Sequence, residues 1–159
     1  MRTVSLLVLA VVALLGGCAE KKGTAADELA IAEAMIRYQF LHHWEGYGGQ
    51  RGVFCIESVA GDTPADPEER LMNRIRHAPR LVRRRSGCEI GPDSRVIDKV
   101  TGAPALILEV GALTWNSPTE ASIEGGYYEE AATAGGSVYF LRKINGAWVV
   151  IMERRAWAA

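Results

Sequence analysis

His42-His43-Trp44-Glu45 is the segment of this 159-residue chain closest to a metal or acid–base cluster. On a helix His42 and Glu45 share a face, but adjacent histidines diverge by about 100° and cannot chelate one ion from regular geometry. A third ligand would have to be His77 or a distant carboxylate. The plainer alternative is a polar helix end whose histidines suit the negative end of the helix dipole. No metal is therefore expected. GxSxG, HExxH and GxxxxGK[ST] are absent, and Gly46-Tyr47-Gly48-Gly49 forms no dinucleotide fingerprint, so no cofactor is expected either. His42, Glu124 and Tyr127 remain as weak acid–base candidates. The arginines are more unusual. Arg70, Arg74, Arg76, Arg80, Arg83, Arg84 and Arg85 fall within sixteen residues that hold no acid and no lysine. Glu120, Glu124, Glu129 and Glu130 lie in a later stretch without a base. Guanidinium forks suit phosphates and carboxylates, so Arg70, Arg74, Arg83, Arg84 and Arg85 are candidate contacts for an anionic envelope partner or an acidic protein. The alternative is a solvated face partly neutralised by those glutamates.

Composition bounds the reading. The chain is 48% apolar and 23% charged with a formal charge of −1, which is globular and carries no global field for nucleic acid. Residues 3–19 hold no charge, and Arg2 precedes them. This is a positive n-region and an apolar h-region of secretory length, and it stops short of the ~20 residues that a spanning helix needs. The run ends in Leu15-Gly16-Gly17-Cys18, which resembles the lipobox of bacterial lipoproteins. The resemblance implies cleavage before Cys18, diacylglycerol on its thiol and a further acyl chain, such as palmitate, on the new amine. Several chains hold a protein on a bilayer far better than one, at ~0.8 kcal/mol per buried methylene. Ala19, where an Asp would favour inner-membrane retention, leans the expectation towards the outer membrane, facing the periplasm. Residues 1–17 are then signal peptide, 18–24 a lipidated tether and 25–159 a single domain. Losing Arg2 with the signal leaves a formal charge of −2. Export leaves Cys55 and Cys88 in a compartment that permits disulfides, as a bridged pair or as two buried thiols.

The elements that must position these residues follow from pattern. Thr24 and Asp27 make a capping-box signature for a helix over residues 25–44. Leu29, Ile36 and Phe40 lie on one face of it and Ile31, Met35 and Tyr38 nearly opposite, so both sides should be covered. Residues 53–59 read as a strand. A second helix is expected from Asp66 as its cap, with Pro67 in its first turn, ending before Pro79 and burying Leu71, Ile75 and Ala78. Beyond residue 103 the pattern is antiparallel sheet: strands over 105–115 and 119–128, then 137–144 and 147–155 about an Asn145-Gly146 turn. A regular ladder pairs Leu141 with Val150, Tyr139 with Met152, Phe140 with Ile151 and Arg142 with Val149. Both faces of that hairpin are apolar, so it should be covered on both sides.

This gives α+β, two helices packed on a curved antiparallel sheet. The order of elements resembles the NTF2-like (cone-shaped α+β) superfamily, with its late aromatic hairpin. Gly126-Tyr127-Tyr128 through Gly146-Ala147-Trp148-Val149-Val150 to Trp157 also resembles an uncharacterised family of small exported bacterial proteins. Relatives of that family carry two cysteines just after the tyrosine pair, where this chain has Glu129 and Thr133. The NTF2-like resemblance implies a pocket between the first helix and the sheet, lined by His42, Trp115, Glu124, Tyr127 and Tyr128. Two expectations compete: a lipid-anchored, non-catalytic binding module, and a pocket enzyme of the acid–base isomerase or hydrolase kind. Cys18→Ala should release the protein from membranes or leave the precursor uncut, and fatty-acid label persisting in that variant would refute lipidation at Cys18.

Overall fold

Thr24 opens the first helix, α1 (Ala25–His42), with the capping box expected of it. Its hydroxyl accepts the Asp27 N–H at 3.2 Å, and its own N–H donates to Asp27 Oδ2 at 3.3 Å. The other Asp27 oxygen reaches across the molecule, accepting from Lys143 Nζ at 2.6 Å and Trp148 Nε1 at 3.0 Å. In this computed structural model, residues 23–42, 52–61, 63–77 and 81–159 are described. Cys18 and the lipobox, His43, Trp44, Glu45, Ala78 and Arg80 lie outside them. Among the described residues no helix is long and apolar enough to cross a membrane.

The strands are β1 (Val53–Ala60), β2 (Thr63–Ala65), β3 (Leu81–Arg84), β4 (Cys88–Ile90), β5 (Val96–Asp98), β6 (Ala105–Ser117), β7 (Glu120–Glu130), β8 (Thr133–Ile144) and β9 (Ala147–Ala158). The main sheet runs β2-β1-β6-β7-β8-β9, with β3 beside β2 on the outer edge of β1. The architecture is α+β, two helices on a mostly antiparallel sheet. One expectation needs correction: β1 runs parallel to both β6 and β3. The long crossover from β1 to β6 lets the chain re-enter the sheet in the same direction, which a hairpin cannot do.

Helix α2 (Glu69–Ile75) begins later than expected. Residues 63–65 are extended because they pair with β1 around Gly61 (φ +66°), so Asp66 does not cap the helix. Its carboxylate instead accepts the Ser86 N–H at 2.7 Å and the Ser86 hydroxyl at 2.6 Å. These bonds, the hydroxyl's first, hold Asp66 below the usual carboxylate range. Leu71 and Ile75 are buried, as their spacing implies, while Arg70, Arg74 and His77 are exposed. Glu33 of α1 accepts from Arg74 at 3.0 Å and ties the two helices together.

Between helices and sheet lies the main core: Ile31, Met35, Ile36 and Phe40 of α1 against Phe54, Ile56, Leu106, Leu108, Ile123 and Leu141. The other sheet face carries a smaller core of Val53, Cys55, Cys88, Val96, Ala105 and Ile107, with Tyr128 packed on it. A Cys55–Cys88 disulfide with Cα atoms 6.4 Å apart fastens the β4–β5 hairpin there.

The last hairpin turns at Asn145 (φ +49°) and Gly146 (φ +82°), the two positive angles of a type I′ turn. Leu141 pairs with Val150 and Arg142 with Val149 as the turn dictates. Beyond that the register departs from the regular ladder. A bulge at Ile151 puts Phe140 opposite Met152 and Tyr139 opposite Glu153. Nor is the hairpin covered on both sides. Strand β9 is a sheet edge, and Val149, Ile151, Met152 and Trp157 are all more than two-fifths exposed.

The hydrogen bonds from Lys143, Trp148 and Thr24 hold the Asp27 carboxyl well below its usual range. A carboxylate depressed in the folded state contributes stability above its unfolded pKa of about 3.9, and that contribution is lost as pH falls further. Asp27→Asn should therefore cost about 1–3 kcal/mol in urea unfolding at pH 7. The gap to wild type should narrow as pH drops below about 4. A pH-independent gap would show that geometry rather than charge makes the contribution.

Candidate functional site

A groove of about 680 Å³ is walled by the first half of α1, the start of α2 and the sheet. Leu29 and Ala32 come from α1, Leu71 from α2, Val110, Leu113 and Trp115 from β6, and Ile123 from β7. Ala32, Leu71, Val110 and Ile123 are buried, making an apolar floor. The register shift between Val110 and Leu113 gives the groove its depth, because β6 bends away from regular pairing there. Gly111 sits in that irregularity, where a Cβ would come within 3.0 Å of Glu124 Cβ and 3.3 Å of Glu124 O. The end wall is Trp115, stacked edge-on against Trp148 with ring centres 5.6 Å apart. Gly23 crosses the Trp115 ring so closely that a Cβ there would overlap it.

Glu28, Glu68 and Arg70 stand exposed on the rim. Among the described residues none of their side chains has a hydrogen-bond or ion-pair partner, which distinguishes Arg70 from its neighbours. Arg83 donates to Asp98 at 3.3 Å, Arg84 pairs with Glu69, Arg85 donates to Glu57 at 2.7 Å, and Arg74 holds Glu33. Among the described residues the counter-charges of this run are thus Glu33, Glu57, Glu69 and Asp98. Two of the β7 glutamates expected to neutralise this run pair elsewhere: Glu120 with Arg142 and Glu130 with Arg95. The run's partners are carboxylates on neighbouring elements, and the parallel pairing of β1 with β3 brings Glu57 beside the end of β3 where Arg85 follows.

The weak acid–base candidates do not converge. His42 is exposed at the end of α1, stacked on Tyr38 with centres 4.0 Å apart. Tyr127 faces the helix-side core, packed over Gly135. Glu124 lies three residues away on β7, so strand alternation turns it to the opposite face, where it is exposed. Tyr128 shares that far face, donating to Ser94 O at 3.0 Å beside the disulfide core. Of the five expected pocket residues only Trp115 lines the groove.

Two polar features were not anticipated. Gln39 is fully buried under the helix, its amide N–H directed at Met35 Sδ while Oε1 has no partner among the described residues. Its signal was an amide within an otherwise apolar stripe. Glu109, in the most apolar strand, is half-buried on the far face; burial raises its pKa, helped by the charges of Glu57 and Glu124. Among the described residues no group of His, Cys, Asp and Glu could hold a metal ion. Among the described residues the groove presents one hydroxyl, Ser58, and no imidazole or thiol.

No protein-family profile matches this chain, and no curated protein matches it. Among solved structures it is similar to an NTF2-like protein of unknown function from Shewanella baltica OS155. That similarity spans 85% of this chain and 98% of that one at 16% identity, with a TM-score of 0.38. Nothing about the site is taken from it.

Asp98 is fully buried, and the hydrogen bond from Thr101, with a further one from Arg83, holds its carboxyl below the ordinary range. Arg83→Met should leave that charge under-compensated and lower stability by about 2 kcal/mol. Reversing Arg83, Arg84 and Arg85 to Glu should likewise act on the unfolding midpoint. A triple variant with unchanged stability that loses binding to anionic vesicles would instead make the run an external contact.

Proposed function

We propose that this chain is a lipid-anchored protein of the bacterial cell envelope whose α+β domain, of NTF2-like cone type, works by binding an apolar ligand rather than by catalysis. The observation that carries the binding role is the groove. Its size lies within the range of ligand pockets, its floor is hydrocarbon, and its charges are confined to the rim. Catalysis by acid–base transfer needs two titratable groups directed at one substrate atom. His42, Glu124 and Tyr127 stand in three separate places, so the enzyme reading gains no support from them.

The anchor rests on Leu15-Gly16-Gly17-Cys18 after the uncharged run. With Cys18 acylated, the domain hangs from a tether of a few residues, and Ala19 favours the outer membrane facing the periplasm. The NTF2-like reading rests on element order: a long first helix laid across a sheet whose last four strands form a meander.

The test uses the unlipidated mature chain, residues 18–159 with Cys18→Ala, and a neutral naphthylamine dye that fluoresces in apolar surroundings. Wild-type groove sequence should bind the dye saturably. Leu113→Trp, which fills the groove from a half-exposed position, should weaken binding about tenfold without changing the unfolding midpoint. No saturable binding, or no effect of Leu113→Trp, would overturn the proposal.

A further inference from the structure

The rim of the groove carries more information than its floor. Two carboxylates, Glu28 on α1 and Glu68 at the start of α2, and one guanidinium, Arg70, face solvent with no partners among the described residues. Elsewhere in this arginine run each guanidinium described is tied to a carboxylate or, for Arg76, to the Asn73 amide. The fork of Arg70 is therefore free to take a phosphate in two parallel hydrogen bonds. A purely anionic head is disfavoured, because two like charges outnumber the single arginine around the same opening. A purely cationic head leaves Arg70 uncompensated. A head with one phosphate and one ammonium satisfies all three groups.

Size limits the tail. A methylene occupies about as much space as a water, ~30 Å³, so one sixteen-carbon chain needs on the order of 480 Å³ and two need ~960 Å³. The groove, at about 680 Å³, takes one. Position names the source. Gly23 lies on Trp115, the end wall, and only residues 19–22 separate it from Cys18. The five steps of chain from Cys18 to Gly23 span at most ~18 Å, so in an anchored protein the groove opens close to the bilayer surface.

Resting on the groove reading above, we propose that the ligand is a single-chain phospholipid with a phosphoethanolamine head. Its alkyl chain lies over Leu29, Leu71, Val110 and Leu113, its phosphate meets Arg70, and its ammonium meets Glu28 and Glu68.

The experiment displaces the naphthylamine dye from the same unlipidated chain with dodecanoyl lysolipids below their micelle concentrations. Lysophosphatidylethanolamine should compete about tenfold better than lysophosphatidylglycerol or monododecanoylglycerol. Arg70→Glu should weaken lysophosphatidylethanolamine about tenfold, and by far more than it changes the affinity of the neutral dye. Glu28→Gln with Glu68→Gln should abolish the discrimination against lysophosphatidylglycerol. Equal competition by all three lipids, or an Arg70→Glu variant that binds lysophosphatidylethanolamine like wild type, overturns the headgroup assignment while leaving the groove reading intact. Loss of dye binding by the unsubstituted chain overturns the groove reading itself. Lipidated protein that no longer takes up dye or lysolipid would show that the chain's own acyl group fills the groove, and would also overturn the proposal.

Discussion

The Asp27 carboxylate joins the first turn of the first helix to the last hairpin of the sheet, residues that are 116 and 121 positions apart. Four donors converge on two oxygens: the Thr24 hydroxyl and N–H on one, Lys143 and Trp148 on the other. Because the bonds are charge-assisted and one end is a helix N-terminus, the arrangement fixes both where α1 begins and how it lies across the strands. Trp148 is thereby held against Trp115, and Trp115 closes the groove. Shift the helix by one turn and Leu29 and Ala32 leave the groove, while Gln39 leaves its place beside Gly125. The geometry of the proposed binding site thus descends from one aspartate.

The opposite face of the sheet is stabilised in a different way. Helices α1 and α2 cover only one side, and the hairpin of β4 and β5 is too small to bury much apolar area itself. The Cys55–Cys88 bond offsets that deficit by restricting the unfolded chain, a contribution of roughly 3–4 kcal/mol for a loop of this length. Arg85 reinforces the same corner, donating to Glu57 on the strand and to Cys88 O on the hairpin. Four positions of the arginine run, Arg74, Arg83, Arg84 and Arg85, take part in this attachment or in the packing of α2.

What was legible in the sequence was what neighbouring residues decide among themselves. Thr24 with Asp27, the Asn145-Gly146 turn and the pairing of Leu141 with Val150 all depend on fewer than a dozen contiguous residues, and each is present. The α+β class followed from the same local signals. The parallel union of β1 with β6 did not, because alternation along a strand says nothing about the direction of its partner. Asp66 has the type and spacing of a cap, yet Ser86, twenty residues on, offers it two donors. Pairing β2 with β1 takes it away from the helix. A pocket between the first helix and the sheet was expected from resemblance, with Trp115 in its wall, but the rest of its lining was hidden for a related reason. Its walls come from five elements, and its only local signal was Gly111 interrupting an apolar run.

The bulge at Ile151 bears on how this protein survives its own biosynthesis. A newly made chain must assemble its sheet among many others, and a long edge strand with exposed Val149, Met152 and Trp157 is a template on which a second copy could polymerise. The extra residue breaks the even spacing of the strand's outward N–H and C=O groups just where its apolar side chains are most exposed. Glu153, Arg154 and Arg155 follow at once, charges that any added strand would have to desolvate. The irregularity that upset the expected pairing is, in these terms, a guard against fibre growth along β9.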